Sequence, residues 1–184
     1  IILNITSDHL DWHNTVNNYK NSKFKIFSKQ DSKDIALLND KKLIKFFRKK
    51  NYLSQLKIVK KNILHLIIKN KINNDYLISA PNLENLAFVN QISKIFKIKK
   101  KIFFKAVNTF KGLSHRHETF LKKKNIIFIN DSKATSFESA KHALKKNTNI
   151  YWIFGGLPKI KDNFNFQGIS SNIIKSFIIG KKTN

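Results

Sequence analysis

Two imidazoles and two carboxylates crowd together near the start of the chain, in Asp8-His9-Leu10-Asp11-Trp12-His13. A neutral imidazole nitrogen at His9 beside a hard oxygen at Asp8 would suit a divalent cation. A capped polar loop that carries surface histidines fits the same spacing equally well. Further along, Val16, Tyr19, Lys23 and Phe27 recur at intervals of three and four, which places them on one face of a helix, with Lys20 and Lys25 on other faces. A lysine on an apolar stripe must pair, snorkel or lose its proton. In the last case the neutral amine can take up carbon dioxide as a carbamate, and a cation becomes a carboxylate-like ligand; a snorkelling stem is the plainer alternative.

Three later stretches carry the other chemistry. Arg116, in Gly112-Leu113-Ser114-His115-Arg116-His117-Glu118, is one of only two arginines among 36 Lys and Arg. A fixed, bidentate partner for phosphate or carboxylate is a physical reason to keep an arginine there. Asn130-Asp131-Ser132-Lys133-Ala134-Thr135 falls between an apolar run and a helix start, where free amides and the helix dipole favour anions. Lys133 adds a mobile charge, and Ser132 and Thr135 add hydroxyls; a generic loop with an N-cap accounts for the same residue types. Asn82 and Asn85 each present a donor and an acceptor, as a purine reader needs, and Asn82 is equally placed to cap a helix.

The elements that must hold these residues read as alternating α and β. Ile1 to Ile5 reads as the end of a buried strand, Thr15 to Phe27 as a helix, and Asp34 to Asn39 as a short strand around Ile35-Ala36-Leu37-Leu38. Residues 41–80 are lysine-rich, with apolar runs at Ile63–Ile68 and Tyr76–Ile78 that could be strands around an Asn73-Asn74-Asp75 turn. A helix follows Pro81, with Leu83, Leu86, Ala87 and Ile92 to Phe96 as its stripe, and Lys105 to Phe110 reads as a shorter one. The pattern breaks at Lys111-Gly112, which we take as a domain boundary. Beyond it, Ile126–Ile129 reads as a strand covered on both faces, 137–146 as a helix, and Ile150–Phe154 and Ile173–Ile179 as strands.

Taken in order, these stretches resemble the Mur ligase family. Asp8-His9-Leu10-Asp11-Trp12-His13 followed by Tyr19 to Phe27 is similar to its DHLDxH…YxxxKxxIF block; Ser79 to Leu86 is similar to G-x-H-N-x-x-N, with Ala80 and Pro81 in place of the glycine and histidine. Gly112 to Glu118 resembles its G-L-x-H-R-x-E joint. Asn130 to Thr135, with Gly155-Gly156-Leu157-Pro158-Lys159 and Asp162-Asn163-Phe164, resembles the D-glutamate-adding members. The resemblance implies an α/β protein: the C-terminal part of a P-loop-type central ATPase domain over residues 1–111, then a truncated Rossmann-like, doubly wound C-terminal domain over 112–184. It implies ATP and Mg2+, with His9 and carbamylated Lys23 on the metal, catalytic roles for Lys23, His9 and Arg116, and nucleotide contacts from Asn82, Asn85, Arg116 and Asp131. Ser132, Lys133, Thr135 and Lys159 would hold D-glutamate, to be joined to UDP-N-acetylmuramoyl-L-alanine through an acyl phosphate.

Composition sets the remaining expectations. The chain begins at Ile1, has no methionine, and holds no G-x-x-x-x-G-K-[ST] among its five glycines. It is therefore expected to be an internal piece of a longer, monomeric enzyme, inactive alone. No apolar run approaches the about 20 residues of a membrane span, and cysteine is absent, which fits a cytoplasmic protein. The net charge of +25 invites a nucleic-acid reading. Because the excess is nearly all lysine, travelling with Asn, Ile and Phe, no specific nucleic-acid partner is expected. The alternatives are another ligase of the superfamily, such as a folylpolyglutamate synthase, and a non-enzymatic basic protein that binds nucleic acid.

Overall fold

The computed structural model describes residues 1–6, 10–60, 63–157 and 165–180, and the chain divides into two compact units, Ile1–Lys111 and Gly112–Asn184. Each is mixed α/β.

The first unit is built around a two-stranded parallel sheet, β1 (Ile35–Leu38) beside β2 (Gln55–Ile58), joined by helix α3 (Lys41–Lys49). Side chains alternate across a strand, so β1 feeds two cores. Ala36 and Leu38 join Phe24, Phe27, Leu43, Ile44 and Phe47 on one side. Leu37 joins Leu86, Ala87, Phe88, Phe103 and Val107 on the other, from helices α5 (Ala80–Ile95) and α6 (Lys100–Thr109). Asp40 caps α3 by accepting from the Lys42 and Leu43 amides.

Several local expectations change. Ile1 to Ile5 forms no strand; the segment lies beside β1 through one backbone bond, from the Ile2 amide to Leu37 O at 3.3 Å. Leu64–Lys69 is a helix, α4, and Tyr76–Ile78 a turn, because their apolar residues pack on the α5–α6 core and find no strand to pair with. The turn around Asn74 is present and anchored. The buried Asn74 amide donates to Val107 O at 2.7 Å and Phe110 O at 2.8 Å, and its oxygen accepts from the Leu77 amide. Helix α6 begins at Lys100, five residues before the expected Lys105.

The second unit begins with an antiparallel hairpin, β3 (Glu118–Lys123) and β4 (Ile126–Asn130). Its two-residue turn puts Lys124 at φ 51°. The expected parallel strand covered on both faces is thus a hairpin arm, and Ile126, Ile127 and Phe128 stand exposed. Helix α7 (Phe137–Lys146) follows, with Ser136 and Ser139 forming a reciprocal capping box. β5 (Ile150–Gly155) and β6 (Ile173–Ile179) then pair in parallel as a separate sheet. A Cβ at Gly155 would stand 1.8 Å from Ile179 O, so only glycine permits that approach, and Gly156 turns the chain at φ +113°.

Candidate functional site

In the first unit Asn82 and Asn85 sit near the start of helix α5, and Lys23 lies in the last turn of a helix over Val16–Phe24. His9, together with Ser7 and Asp8, lies outside the described residues, as do Lys159, Asp162, Asn163 and Phe164. Immediately after His9 comes the one-turn helix α1 (Leu10–His13), which leaves Asp11 and Trp12 exposed. Helix α2 (Val16–Phe24) starts at Thr15, whose hydroxyl accepts from the Asn18 amide at 3.1 Å, and a 3-10 turn, Lys25–Phe27, continues it.

The inward face of this helix agrees with its spacing at Phe27 but not at Val16 or Lys23. Val16 and Lys23 are exposed, and the buried residues are Phe24 and Phe27. Lys20, one turn before Phe24, lies on the core side and holds its ammonium 4.4 Å from the centre of the Phe46 ring. Lys20 is therefore the snorkelling lysine. Lys23 stands in solvent, its ammonium 5.2 Å from the centre of the Tyr19 ring. The buried setting that made a carbamate chemically attractive is absent at Lys23. Among the described residues, no three of His, Cys, Asp or Glu gather as a metal site.

Asn82 does not cap α5: Ser79 occupies that position, and Asn82 falls in the first turn. Its amide donates to Tyr76 O at 2.8 Å and Ser79 Oγ at 3.2 Å, while its oxygen accepts from Asn85 Nδ2, also at 3.2 Å. Asn82 is thus committed to bracing the helix start. Exposed Asn85 keeps its oxygen and one amide hydrogen for a ligand.

In the second unit the structure stitches together two segments that lie apart in sequence. From Asp131, Oδ1 accepts the His117 amide at 2.9 Å; the Lys133 amide donates to His115 O at 3.0 Å, and the Asn130 amide meets His115 Nδ1 at 2.8 Å. Glu118 closes its own loop by accepting the His115 amide at 2.8 Å. His115 and His117 take left-handed backbones, φ 64° and 49°, on either side of Arg116. This costly geometry is held by the bonds just named and presents Arg116 to solvent. Ser132, Lys133 and Thr135 are likewise exposed on the adjoining loop, while Asp131 is half-buried as the fastener between the two. The result is an anion-facing surface of Arg116 and Lys133 on a braced backbone.

Sequence reasoning gave His117 no role. It is half-buried beside Asp131, its ring 6.5 Å from that of His142 on α7. Burial lowers its pKa from 6.5, Lys146 and His142 act in the same direction, and Asp131 opposes them. An unfolded chain therefore binds a proton at His117 at a higher pH than the folded chain does. The stability this gives is present above about pH 6.5 and is lost as pH falls through the lowered folded value. We expect the second unit's melting temperature to drop between pH 7.5 and pH 5.5, and His117→Asn, which tolerates the left-handed backbone, to flatten that dependence. Thermal melts at the two pH values check it.

Residues 1–76 are similar to the Mur ligase middle domain. The whole chain is similar to proteins named UDP-N-acetylmuramoylalanine–D-glutamate ligase. That of Rickettsia prowazekii (strain Madrid E) is 34% identical over 201 residues, covering 98% of this chain and 45% of the relative. That of Wolbachia sp. subsp. Brugia malayi is 32% identical over 198 residues, covering 100% and 39%. That of Clostridioides difficile (strain 630) is 32% identical over 196 residues, covering 97% and 44%. The chain thus spans less than half the length of these relatives. Among the described residues, no helix is long and apolar enough to cross a membrane.

Proposed function

We propose that this chain forms the middle and part of the C-terminal portion of an ATP-dependent ligase that adds D-glutamate to UDP-N-acetylmuramoyl-L-alanine. Residues 1–111 belong, on this reading, to a P-loop-type ATPase domain, and 112–184 to a Rossmann-like domain that receives the amino acid. The observation that carries it is the stitching of the Arg116 loop to the Asp131–Thr135 loop, which sets a guanidinium and an ammonium on two backbones braced against each other.

In the reaction, the alanine carboxylate of the precursor attacks the terminal phosphorus of ATP, forming an acyl phosphate and releasing ADP. The amine of D-glutamate then attacks the acyl carbon, phosphate leaves, and the nitrogen gives up a proton. Arg116 offsets charge on the phosphoryl oxygens through its planar fork. Lys133 and the hydroxyls of Ser132 and Thr135, with Lys159, receive the two carboxylates of D-glutamate. Asn85 contacts the nucleotide base, Asn82 braces the helix that carries it, and Asp131 holds the backbone that carries Arg116. Magnesium, when bound, would draw charge from the phosphate oxygens. His9 and Lys23 are the residues assigned to it by resemblance, but the described side chains do not form its site, and no step here depends on it.

The experiment is steady-state kinetics of the complete ligase carrying Lys133→Ala. We expect the KM for D-glutamate to rise about tenfold or more, as for loss of one charge-assisted contact, with the KM for ATP little changed. Equal losses for both substrates would overturn the amino-acid assignment.

A further inference from the structure

Between α3 and the carboxyl ends of β1 and β2 lies a cleft of about 490 Å³, lined by Asn39, Lys41, Ile44, Lys45, Arg48 and Ile58. None of these residues is assigned above to ligase chemistry. On α3, Lys41, Lys45 and Arg48 recur at i, i+4 and i+7, so three cations share one face, with Ile44 packed below them in the core. A crevice beyond the carboxyl ends of parallel strands is where open α/β sheets place ligands.

Asn39 gives the cleft its specificity. It directly follows β1 and is only 8% exposed. Its amide nitrogen donates to Glu84 Oε1 at 2.5 Å, which fixes the orientation of the group: the oxygen is the other atom. That oxygen is buried and meets no hydrogen-bond partner among the described residues. A buried acceptor left unmatched is costly, and a ligand that brings a donor removes the cost. Cations alone would fit any anion. Cations beside an orphaned acceptor fit an anion that also carries a hydroxyl.

We propose that this cleft binds a small phosphorylated polyol or sugar, its phosphate on Lys41, Lys45 and Arg48 and a neighbouring hydroxyl donating to Asn39 Oδ1. The residues that line this cleft are not those of the proposed ligase contacts, and the proposal does not rest on them.

The test is an NMR titration of the chain at about 0.15 M salt, where diffuse surface binding is screened, with glycerol 3-phosphate, inorganic phosphate and glycerol as probes. Glycerol 3-phosphate should shift amides of residues 39–48 and 58 and bind several-fold tighter than inorganic phosphate. The pair Lys45→Gln, Arg48→Gln should weaken it about tenfold. The pair Lys42→Gln, Lys49→Gln removes the same charge from another face of α3 and should change it little. Asn39→Ala should abolish the preference over inorganic phosphate while leaving phosphate binding in place. Equal losses in the two charge pairs would reduce the cleft to part of a general lysine surface. Inorganic phosphate binding as tightly as glycerol 3-phosphate to the unsubstituted chain would remove the role of Asn39, and it decides the matter even if Asn39→Ala does not fold.

Discussion

Phe24→Ala should cost the first unit about 3–5 kcal/mol, as measured for large aromatic truncations in packed cores. Phe24 is fully buried, edge-on to Phe27 at 5.4 Å and to Phe46 at 4.7 Å, and Tyr52 closes the group by touching Phe27 and Phe47. The cluster ties the end of α2 to α3. Domains of this size are stable by about 5–15 kcal/mol, so the loss would consume much of the unit's margin. Urea unfolding followed by near-ultraviolet circular dichroism, which reads the packed rings directly, would measure it. Lys23→Ala, on the same helix but exposed, should shift the midpoint little. A Phe24→Ala loss below about 1 kcal/mol would show that the cluster is not a packed core.

On the proposed function, Arg116→Ala should lower the turnover of the complete ligase by about 10²–10³-fold, the usual loss when a preorganised partner of developing phosphate charge is removed. The side chain is exposed, whereas the loop beneath it is fixed by Asp131, His115 and Glu118, so the substitution should leave the melting temperature of the second unit unchanged. Arg116→Lys should recover only part of the loss, because an ammonium cannot grip two oxygens in one plane. Kinetics and melts on the same preparations separate the outcomes. Full turnover in Arg116→Ala would remove Arg116 from the chemistry, and a large fall in stability would assign it to the loop.

Helix α7 and strands β1 and β6 were readable from local pattern alone. Ile35-Ala36-Leu37-Leu38 is a short apolar run bounded by Asp34 and Asn39, and Ser136 caps a helix that ends in Lys145-Lys146. The joint at Gly112 and the loop from Asn130 to Thr135 were each legible as segments with chemical purpose. Their attachment to each other was not, because the Asp131 to His117 bond spans residues whose separation carries no periodic signal.

Where the reading failed, the reasons are specific. Ile63 to Ile68 is a six-residue apolar run, too short for period alone to separate helix from strand. It became a helix because the neighbouring surface belongs to α5 and α6, which offer side chains and no free strand edge. Glu118-Thr119-Phe120-Leu121-Lys122-Lys123 was missed as a strand for its lysines, yet it supplies the partner of β4. Of the expected stripe of Val16, Tyr19, Lys23 and Phe27, only Phe27 is buried; Lys20 and Phe24, each one position beyond Tyr19 and Lys23, face the core instead. One helical position is a turn of about 100°, enough to carry a lysine from core to solvent.

The sequence by itself determined which residue types were available, which segments were helix, strand or loop where the pattern was long or capped, and which motifs resemble those of the Mur ligases. These follow from local rules of spacing, capping and charge, each acting within a few residues. Only the tertiary structure decided that Lys20 and not Lys23 lies against the aromatic core, that Asn82 is spent on its own helix, and that Asp131 locks the loop presenting Arg116. It alone left the Asn39 oxygen, among the described residues, without a partner in a cleft lined by three cations. Each of these depends on which surface a side chain meets, and that is set when distant segments pack.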